Sequence, residues 1–119
     1  MSLNIDQYYG QTIFNAEIRD DELRLNLSGG KRIAIYDGGQ SCCEHRYMAC
    51  DDDPKSLIGH PLTRVEVKEG PNLDDGYDVH EQEFLEVGTD KGFITIANHN
   101  EHNGYYGGFY LTIRELPND

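Results

Sequence analysis

Apolar and polar residues alternate along most of this 119-residue chain with the two-residue period of strands that bury one face. The pattern predicts a mainly β fold, with strands at 12–18, 22–27, 31–37, 43–49, 63–69, 83–88, 92–98 and 108–115. One short helical turn is expected near 53–58, where Asp53 stands as N-cap before Pro54 and Gly59 ends the turn. We therefore expect antiparallel sheets in a single domain over 1–119, arranged as a meander, a two-sheet sandwich or a partly open barrel.

The registers of three hairpins follow from arithmetic, because directly opposed residues of an antiparallel pair lie on the same face. The first hairpin, turning at Asp20–Asp21, is predicted to pair Ile18 with Leu23, Ala16 with Leu25 and Phe14 with Leu27. The second, with a three-residue loop over 28–30 whose last glycine takes a left-handed conformation, is predicted to pair Leu25 with Ile33 and Leu23 with Ile35. The third, connected through 89–92, is predicted to pair Leu85 with Ile96 and Val87 with Ile94.

Several strands also carry apolar residues on the face opposite to the predicted core, namely Ile13, Tyr36, Met48 and Phe84. Such residues require cover by a second layer, and the edges of an open sheet require protection from other chains. A two-sheet sandwich is the preferred arrangement. If these residues stay exposed instead, the expected alternative is a symmetric homodimer.

The stretch GQSCCEHRYMAC, residues 39–50, raises the alternatives of a metal site, a disulfide or neither. Cys42 and Cys50 would stand about 26 Å apart on a strand, and Cys43 and Cys50 about 10 Å apart on a helix. Both separations are too long for a shared zinc ion or a disulfide. Cys43 and His45 share a strand face and could bind zinc with a distant histidine. The preferred interpretation is three reduced, unligated thiols, with Cys43 buried beneath the sheet.

Acidic residues dominate the composition, since 22 Asp and Glu against 10 Lys and Arg give a formal net charge of −12. Binding nucleic acid requires clustered cations, so no direct contact with nucleic acid is expected. No apolar run approaches the roughly 20 residues that span a bilayer, and no secretory leader opens the sequence. We therefore expect a cytoplasmic protein without a membrane anchor. Its acidic surface either keeps it soluble or occupies the basic, nucleic-acid-binding groove of another protein.

The most site-like stretch is NHNEHNGYYGGFY, residues 98–110, where histidines and tyrosines accompany turn-forming residues in a predicted hairpin. Such rings offer flat area together with a hydrogen-bonding end, as recognition surfaces do. The candidate interaction surface consists of His99, His102, Asn103, Tyr105 and Tyr106. One alternative is that these residues merely shape and pack the turn. A second alternative is that the protein is a metal-dependent or hydrolytic enzyme that uses these histidines.

A polar, turn-rich loop is predicted over 71–82, where Asp74, Asp75 and Asp78 precede Glu81 and Glu83. These carboxylates could bind calcium, but their order is not that of a calcium-binding loop, and a solvated acidic loop is the preferred interpretation. The sequence contains no phosphate-binding glycine loop before a helix and no nucleophile motif. We therefore assign no catalytic, cofactor-binding or metal-binding residue.

Four short motifs occur in the order SCCE at 41–44, SLIGHPL at 56–62, DKGFITI at 90–96 and HNGYYGG at 102–108. In these motifs the chain resembles an uncharacterised family of small proteins encoded by bacteriophages and bacteria, from about residue 20 onwards. The resemblance implies a compact β-rich domain of phage or prophage origin and brings no known activity or catalytic residue. Ser41 departs from the family pattern, which has an acidic residue before the cysteine pair. We therefore expect a small non-enzymatic phage accessory or interaction protein, acting on a host protein in the bacterial cytoplasm.

Overall fold

The structure, a computed structural model, describes residues 5–39, 44–74, 79–102 and 108–117. Within these ranges the chain forms strands and two short 3₁₀ turns, at Asp6–Tyr8 and Pro54–Leu57. The strands are β1 (Ile13–Arg19), β2 (Glu22–Leu27), β3 (Arg32–Asp37), β4 (Glu44–Ala49), β5 (Leu62–Glu69), β6 (Leu73–Asp74), β7 (Val79–Thr89), β8 (Gly92–His102) and β9 (Leu111–Leu116). The predicted mainly β fold is confirmed, as two antiparallel sheets.

The strands divide between a first sheet of order β1-β2-β3-β9 and a second of order β4-β8-β7-β5, in which β6 also pairs with β7. The predicted hairpin at 98–110 is wrong, because the two strands that it would join belong to different sheets. β8 continues to His102, where it pairs with Glu44 of β4 and Val79 of β7. β7 pairs with β8 along its whole length and β4 pairs with it from Ala97 to His102, so the ladder continues through 98–102 instead of turning.

The first hairpin shows the predicted register over most of its length, with Ile18 opposite Leu23 and Ala16 opposite Leu25. The predicted pair of Phe14 with Leu27 is wrong. A bulge between Ile13 and Asn15 inserts one extra residue, so Ile13 stands opposite Leu27. Ile13 is therefore fully buried, whereas Phe14 remains 61% exposed.

The turns of the hairpins use the conformations that their residues favour. Asp20 and Asp21 both have positive φ angles, of 53° and 58°, as the tight two-residue turn of a hairpin requires. Gly30 ends the three-residue loop with a φ of 78°, as predicted. The remaining predicted pairs are confirmed, namely Leu25 with Ile33, Leu23 with Ile35, Leu85 with Ile96 and Val87 with Ile94.

The two sheets share one apolar core. The largest buried apolar side chains of the strands are Ile13, Leu23, Leu25, Ile33 and Ile35 from the first sheet and Leu62, Leu85, Val87 and Ile96 from the second. Of the four residues expected to need cover, Ile13 and Met48 lie in this core, and Tyr36 and Phe84 are half-buried. Ile13 of the first sheet and Met48 of the second are thus covered in the core that the two sheets share, and the homodimer stays a prediction.

The connection between β4 and β5 contains the predicted turn. The Asp53 carboxylate accepts a hydrogen bond from the Lys55 backbone N–H at 3.0 Å, which caps the 3₁₀ turn Pro54–Leu57. Gly59 follows with a φ of 90°. The turn packs Leu57 into the core with 2% exposure.

The predicted loop at 71–82 is wrong for its last part, because β7 already begins at Val79. Pairing of β7 with β8 extends from the turn at Thr89 and Gly92 to Val79 and His102, and these ladder hydrogen bonds hold 79–82 in the sheet. Residues 75–78 of that loop lie outside the described ranges.

Candidate functional site

The inward face of the second sheet changes character along β8. Ile94 and Ile96 belong to the apolar core, whereas Asn98, Asn100 and His102 continue the same face and are also buried, at 6% exposure or less. Because every second residue of a strand faces the same side, these three polar side chains point into the interior. Buried polar groups require partners, so this polar end of the sheet is a candidate site.

Arg46 of β4 is the central cation of this polar end, with a side chain only 4% exposed. Its guanidinium donates through Nε and Nη2 to both oxygens of Glu44, at 3.3 and 2.7 Å, and through Nη1 to Asp37 Oδ2 at 2.7 Å. Nη1 also donates to the Gly108 carbonyl at 2.9 Å, and the guanidinium lies 5.5 Å from the ring centre of Tyr110. Arg46 therefore ties the second sheet to the end of β3 in the first.

The ionisation of Arg46 is secured by these contacts. Burial lowers its pKa, but the hydrogen bonds and charges of Asp37 and Glu44 outweigh burial and raise the pKa above its ordinary value. Arginine consequently stays charged at every physiological pH. One guanidinium thus contacts two carboxylates, Asp37 and Glu44, whose side chains are only 9% and 1% exposed.

A second contact, between an imidazole and a carboxylate, lies beside the first. His102 Nε2 and Glu81 Oε1 are 2.7 Å apart, and the same oxygen accepts the backbone N–H of Gly108 at 3.0 Å. Gly108 therefore contacts Arg46 through its carbonyl and Glu81 through its amide. The chain leading into β9 is thus fastened to β4 and β7 by side chains of the polar end.

Three buried oxygen atoms of the polar end have no hydrogen-bond donor among the described residues: Glu83 Oε1, Asn98 Oδ1 and Asn100 Oδ1. Glu83 and Asn98 are directly opposed in the β7–β8 ladder. Burial raises the pKa of Glu83, and the charges of Asp37, Glu69 and Glu81 add to the rise. A polar cavity of about 280 Å³ lies beside Glu83, and it is lined by Glu69, Gly70, Asn72, Glu81, Gln82, Glu83, Gly108 and Phe109.

The outward face of the same strands carries a different group, which we name the His–Tyr cluster: His45, Tyr47, His80, His99 and Glu101. The Tyr47 and His99 rings stack in parallel, with centroids 4.6 Å apart and planes inclined by 5°. His45 lies against the other side of the group, with its centroid 4.8 Å from Tyr47 and its Nδ1 3.7 Å from Glu101 Oε2. The side chain of His45 is 73% exposed, so the His–Tyr cluster reaches solvent.

Two histidines of the His–Tyr cluster lie within hydrogen-bond distance of each other. His80 Nε2 and His99 Nδ1 are 2.8 Å apart, and Tyr47 Oη lies 3.4 Å from the same His80 nitrogen. One ring nitrogen must donate and the other accept, which requires a neutral acceptor. Burial lowers the pKa of His99, and the neighbouring charge of His80 lowers it further, against an opposing effect of Glu101. The contact therefore favours the neutral form of His99.

The described residues of the candidate interaction surface, His99 and His102, lie on opposite faces of the second sheet. His99 belongs to the outward His–Tyr cluster, whereas His102, three residues along the same strand, faces inward against Glu81. Asn103, Tyr105 and Tyr106 lie outside the described residues. The structure thus does not bring His99 and His102 together.

Of the five members of the His–Tyr cluster, only His99 belongs to the predicted interaction surface, so sequence reasoning missed the other four: His45, Tyr47, His80 and Glu101. Strand alternation did place His45 and Tyr47 on one face, and the structure confirms that alternation within Glu44–Ala49. The missing signal was the pairing of β4 with β8, which sets Tyr47 opposite His99. The loop predicted over 71–82 contains His80, and a loop residue has no strand partner, so the sequence does not predict the contact of His80 with His99.

The cysteine predictions are tested in part. Cys50 is a free thiol that donates to the Thr95 carbonyl at 3.3 Å, and burial is the main cause that raises its pKa. A raised pKa keeps the thiol protonated and unreactive. Cys42 and Cys43 lie outside the described ranges, so the predicted burial of Cys43 stays a prediction.

Two kinds of feature are absent from the part of the chain that the structure describes. No group of three or more His, Cys, Asp or Glu side chains there is placed to hold a metal ion. No helix there is long and apolar enough to cross a membrane.

The fold and the polar end define this protein as an all-β domain of two antiparallel sheets with an ionised interior. Residues 6–112 match the model of a domain of unknown function, DUF7448, and the chain belongs to that family. No curated protein and no solved structure matches the chain. This assignment agrees with the resemblance to an uncharacterised family, and the family description names no activity.

Proposed function

We propose that this chain is a non-enzymatic protein-interaction domain, and that the His–Tyr cluster is the centre of its binding surface. The observation that supports this most is the parallel stack of Tyr47 on His99, flanked by the largely exposed His45, on the outward face of the second sheet. Rigid stacked rings supply contact area at low entropic cost, and their polar atoms supply hydrogen bonds.

The partner that fits this surface is a protein with a basic face. The chain carries a formal net charge of −12, and Glu101, with a side chain 38% exposed, stands at the rim of the His–Tyr cluster. Complementary charge accelerates association and selects against acidic partners. A nucleic-acid-binding protein presents such a basic face, and occupying it would block nucleic acid without contacting nucleic acid directly.

The motif resemblance to proteins of bacteriophages and bacteria supports a more specific role. We infer an accessory protein of phage or prophage origin that acts on a host protein in the bacterial cytoplasm. Its effect on the host protein would be competitive, since a small domain without a catalytic centre alters a partner by covering its surface.

Affinity capture from bacterial lysate tests the proposal when matched variants are compared. The variant Tyr47→Ala with His45→Ala removes the stacked centre, and we expect retention of the captured partner to fall at least tenfold, as for a binding hot spot. The control is Phe14→Ala, which removes an aromatic ring that is 61% exposed on the first sheet. The control should capture the partner as well as the wild type.

Ionic strength and the metal content of the purified protein provide two further readouts. Raising the ionic strength should weaken the complex, because charge complementarity is screened. Equal retention of the partner by the wild type and by the Tyr47→Ala, His45→Ala variant would show that the His–Tyr cluster is not the binding surface. Stoichiometric transition metal in the purified protein, without a partner, would favour the alternative of a metal-dependent enzyme.

A further inference from the structure

His80 and His99 form the inner part of the His–Tyr cluster. His80 Nε2 lies 2.8 Å from His99 Nδ1, and the centroids of the two rings are 5.0 Å apart. His80 is only 8% exposed, so a positive charge on its ring would be poorly hydrated. Tyr47 stacks on the His99 ring and places its hydroxyl 3.4 Å from His80 Nε2, so it contacts both histidines.

The contact between these two histidines can hold one added proton but not two. In the neutral pair one ring nitrogen donates and the other accepts, and a protonated ring can still donate to a neutral one. When both rings are protonated, both facing nitrogens carry hydrogens and neither can accept. The two positive charges also repel each other at this separation. A doubly protonated pair must therefore open.

The surroundings of the pair make the second proton unfavourable near neutral pH. The described polar groups on the same face of the neighbouring strand positions are His45 and Tyr47 of β4, Gln82 of β7 and Glu101 of β8. Burial and the charge of His80 lower the pKa of His99, and the opposing effect of Glu101 is smaller. The pair is therefore closed at neutral pH, and it opens only as the pH falls below the ordinary histidine pKa of about 6.5.

We propose that the His80–His99 pair is a pH-sensitive switch, which releases the bound partner when both rings are protonated. This inference rests on the proposed function of the His–Tyr cluster as a surface for a basic partner. Opening of the pair disturbs the stack of His99 on Tyr47, and the added charge repels a positively charged partner. Because the partner binds the closed form better, its affinity falls by up to about tenfold per pH unit for each proton taken up.

NMR titration of the ring signals in the partner-free protein tests the switch itself. We expect His80 and His99 to titrate in two coupled steps, the second below about pH 6.5, and the Tyr47 ring signals to shift with that second step. In His99→Gln the remaining ring should titrate in one step. The control His60→Gln changes a histidine beside Asp90 and should keep both steps. Two independent steps near the ordinary pKa, or Tyr47 signals that do not shift, would overturn the switch.

Binding of the captured partner at two pH values tests the regulation, with circular dichroism to show that the chain is folded at both. The wild type should bind at least about fivefold more weakly at about pH 5 than at about pH 7.5. This ratio should fall towards one in His99→Gln and stay at the wild-type value in His60→Gln. An equal ratio in the wild type and His99→Gln would refute the regulation and leave the binding surface standing. If no partner is captured, the proposed function and its regulation both fail, whereas the two-step titration is unaffected.

Discussion

Two ends of one sheet face differ sharply although the same strands build them. The apolar end consists of Leu85, Val87, Ile94 and Ile96, all at 3% exposure or less. The polar end begins two residues further along β7 and β8 and contains Glu81, Glu83, Asn98, Asn100 and His102, with Arg46 of β4 beside Asn100. Apolar side chains stabilise through area removed from water, which depends little on orientation. Buried polar side chains stabilise only through partners in defined directions, so the polar end specifies geometry more strictly.

The largest effect is expected from removing the central cation of the polar end. Arg46→Met leaves Asp37 and Glu44 buried without their charge partner, and we expect the free energy of unfolding to fall by about 3–5 kcal/mol. Denaturation with guanidinium chloride at constant pH measures it. Combining Arg46→Met with Asp37→Asn and Glu44→Gln removes the unpaired charges and should recover part of the loss. A loss below about 1 kcal/mol for Arg46→Met alone would show that the cluster is not truly desolvated.

A somewhat smaller loss is expected at the apolar end. Ile96→Ala creates a cavity between the sheets and should lower the free energy of unfolding by about 2–5 kcal/mol. The matched control on the same strand is Phe93→Ala, whose ring faces outward at 56% exposure, 5.0 Å from the Arg64 guanidinium. That control should cost less than about 1 kcal/mol. Similar losses for both variants would contradict the assignment of inward and outward faces.

The smallest effect concerns the outward face and depends on pH. The pKa of His99 is lowered in the folded protein, so the unfolded chain binds more protons below the ordinary histidine pKa of about 6.5. The contribution of His99 to stability is therefore complete above pH 6.5 and is lost as the pH falls through the lowered pKa. The groups facing His99 are Tyr47, His80 and Glu101.

Comparing Tm at pH 7.5 and pH 5.5 measures this contribution. The difference between the two values should shrink in His99→Gln, which cannot be protonated. His60→Gln is the control. His60 lies 3.5 Å from Asp90 near the β7–β8 turn, at the other end of this strand pair from His80 and His99. This variant should keep the wild-type difference. An unchanged difference in His99→Gln would mean that the His80–His99 contact does not control protonation.

Much of the fold could be predicted because hairpins are local. The partners Leu85 and Ile96, or Leu25 and Ile33, are close in sequence, and a short turn leaves few registers that keep both on one face. Phe14 shows the limit of this reasoning, since a bulge shifted the register by one residue and exposed it. A bulge responds to packing between sheets, and alternation alone does not reveal it.

The candidate site depended on pairings between strands that are distant in sequence. β4 and β8 are separated by more than forty residues, yet their contact stacks Tyr47 on His99 and places Arg46 beside Asn100. No local propensity indicates which distant strand a given strand will join. The sequence therefore indicates His99, because it lies in the His- and Tyr-rich stretch 98–110. It does not indicate that His45, Tyr47 and His80 lie against His99.

The sequence by itself determined the β class, the short hairpins, the capped turn at Asp53 and the acidic charge, because periodicity, turn residues and composition act locally. Tertiary structure decided that β8 and β9 enter different sheets and that Asn98, Asn100 and His102 face inward. It also decided that Arg46 joins the two sheets through Asp37. These outcomes depend on the long-range pairing of strands and on charges that become strong only when packing removes them from water.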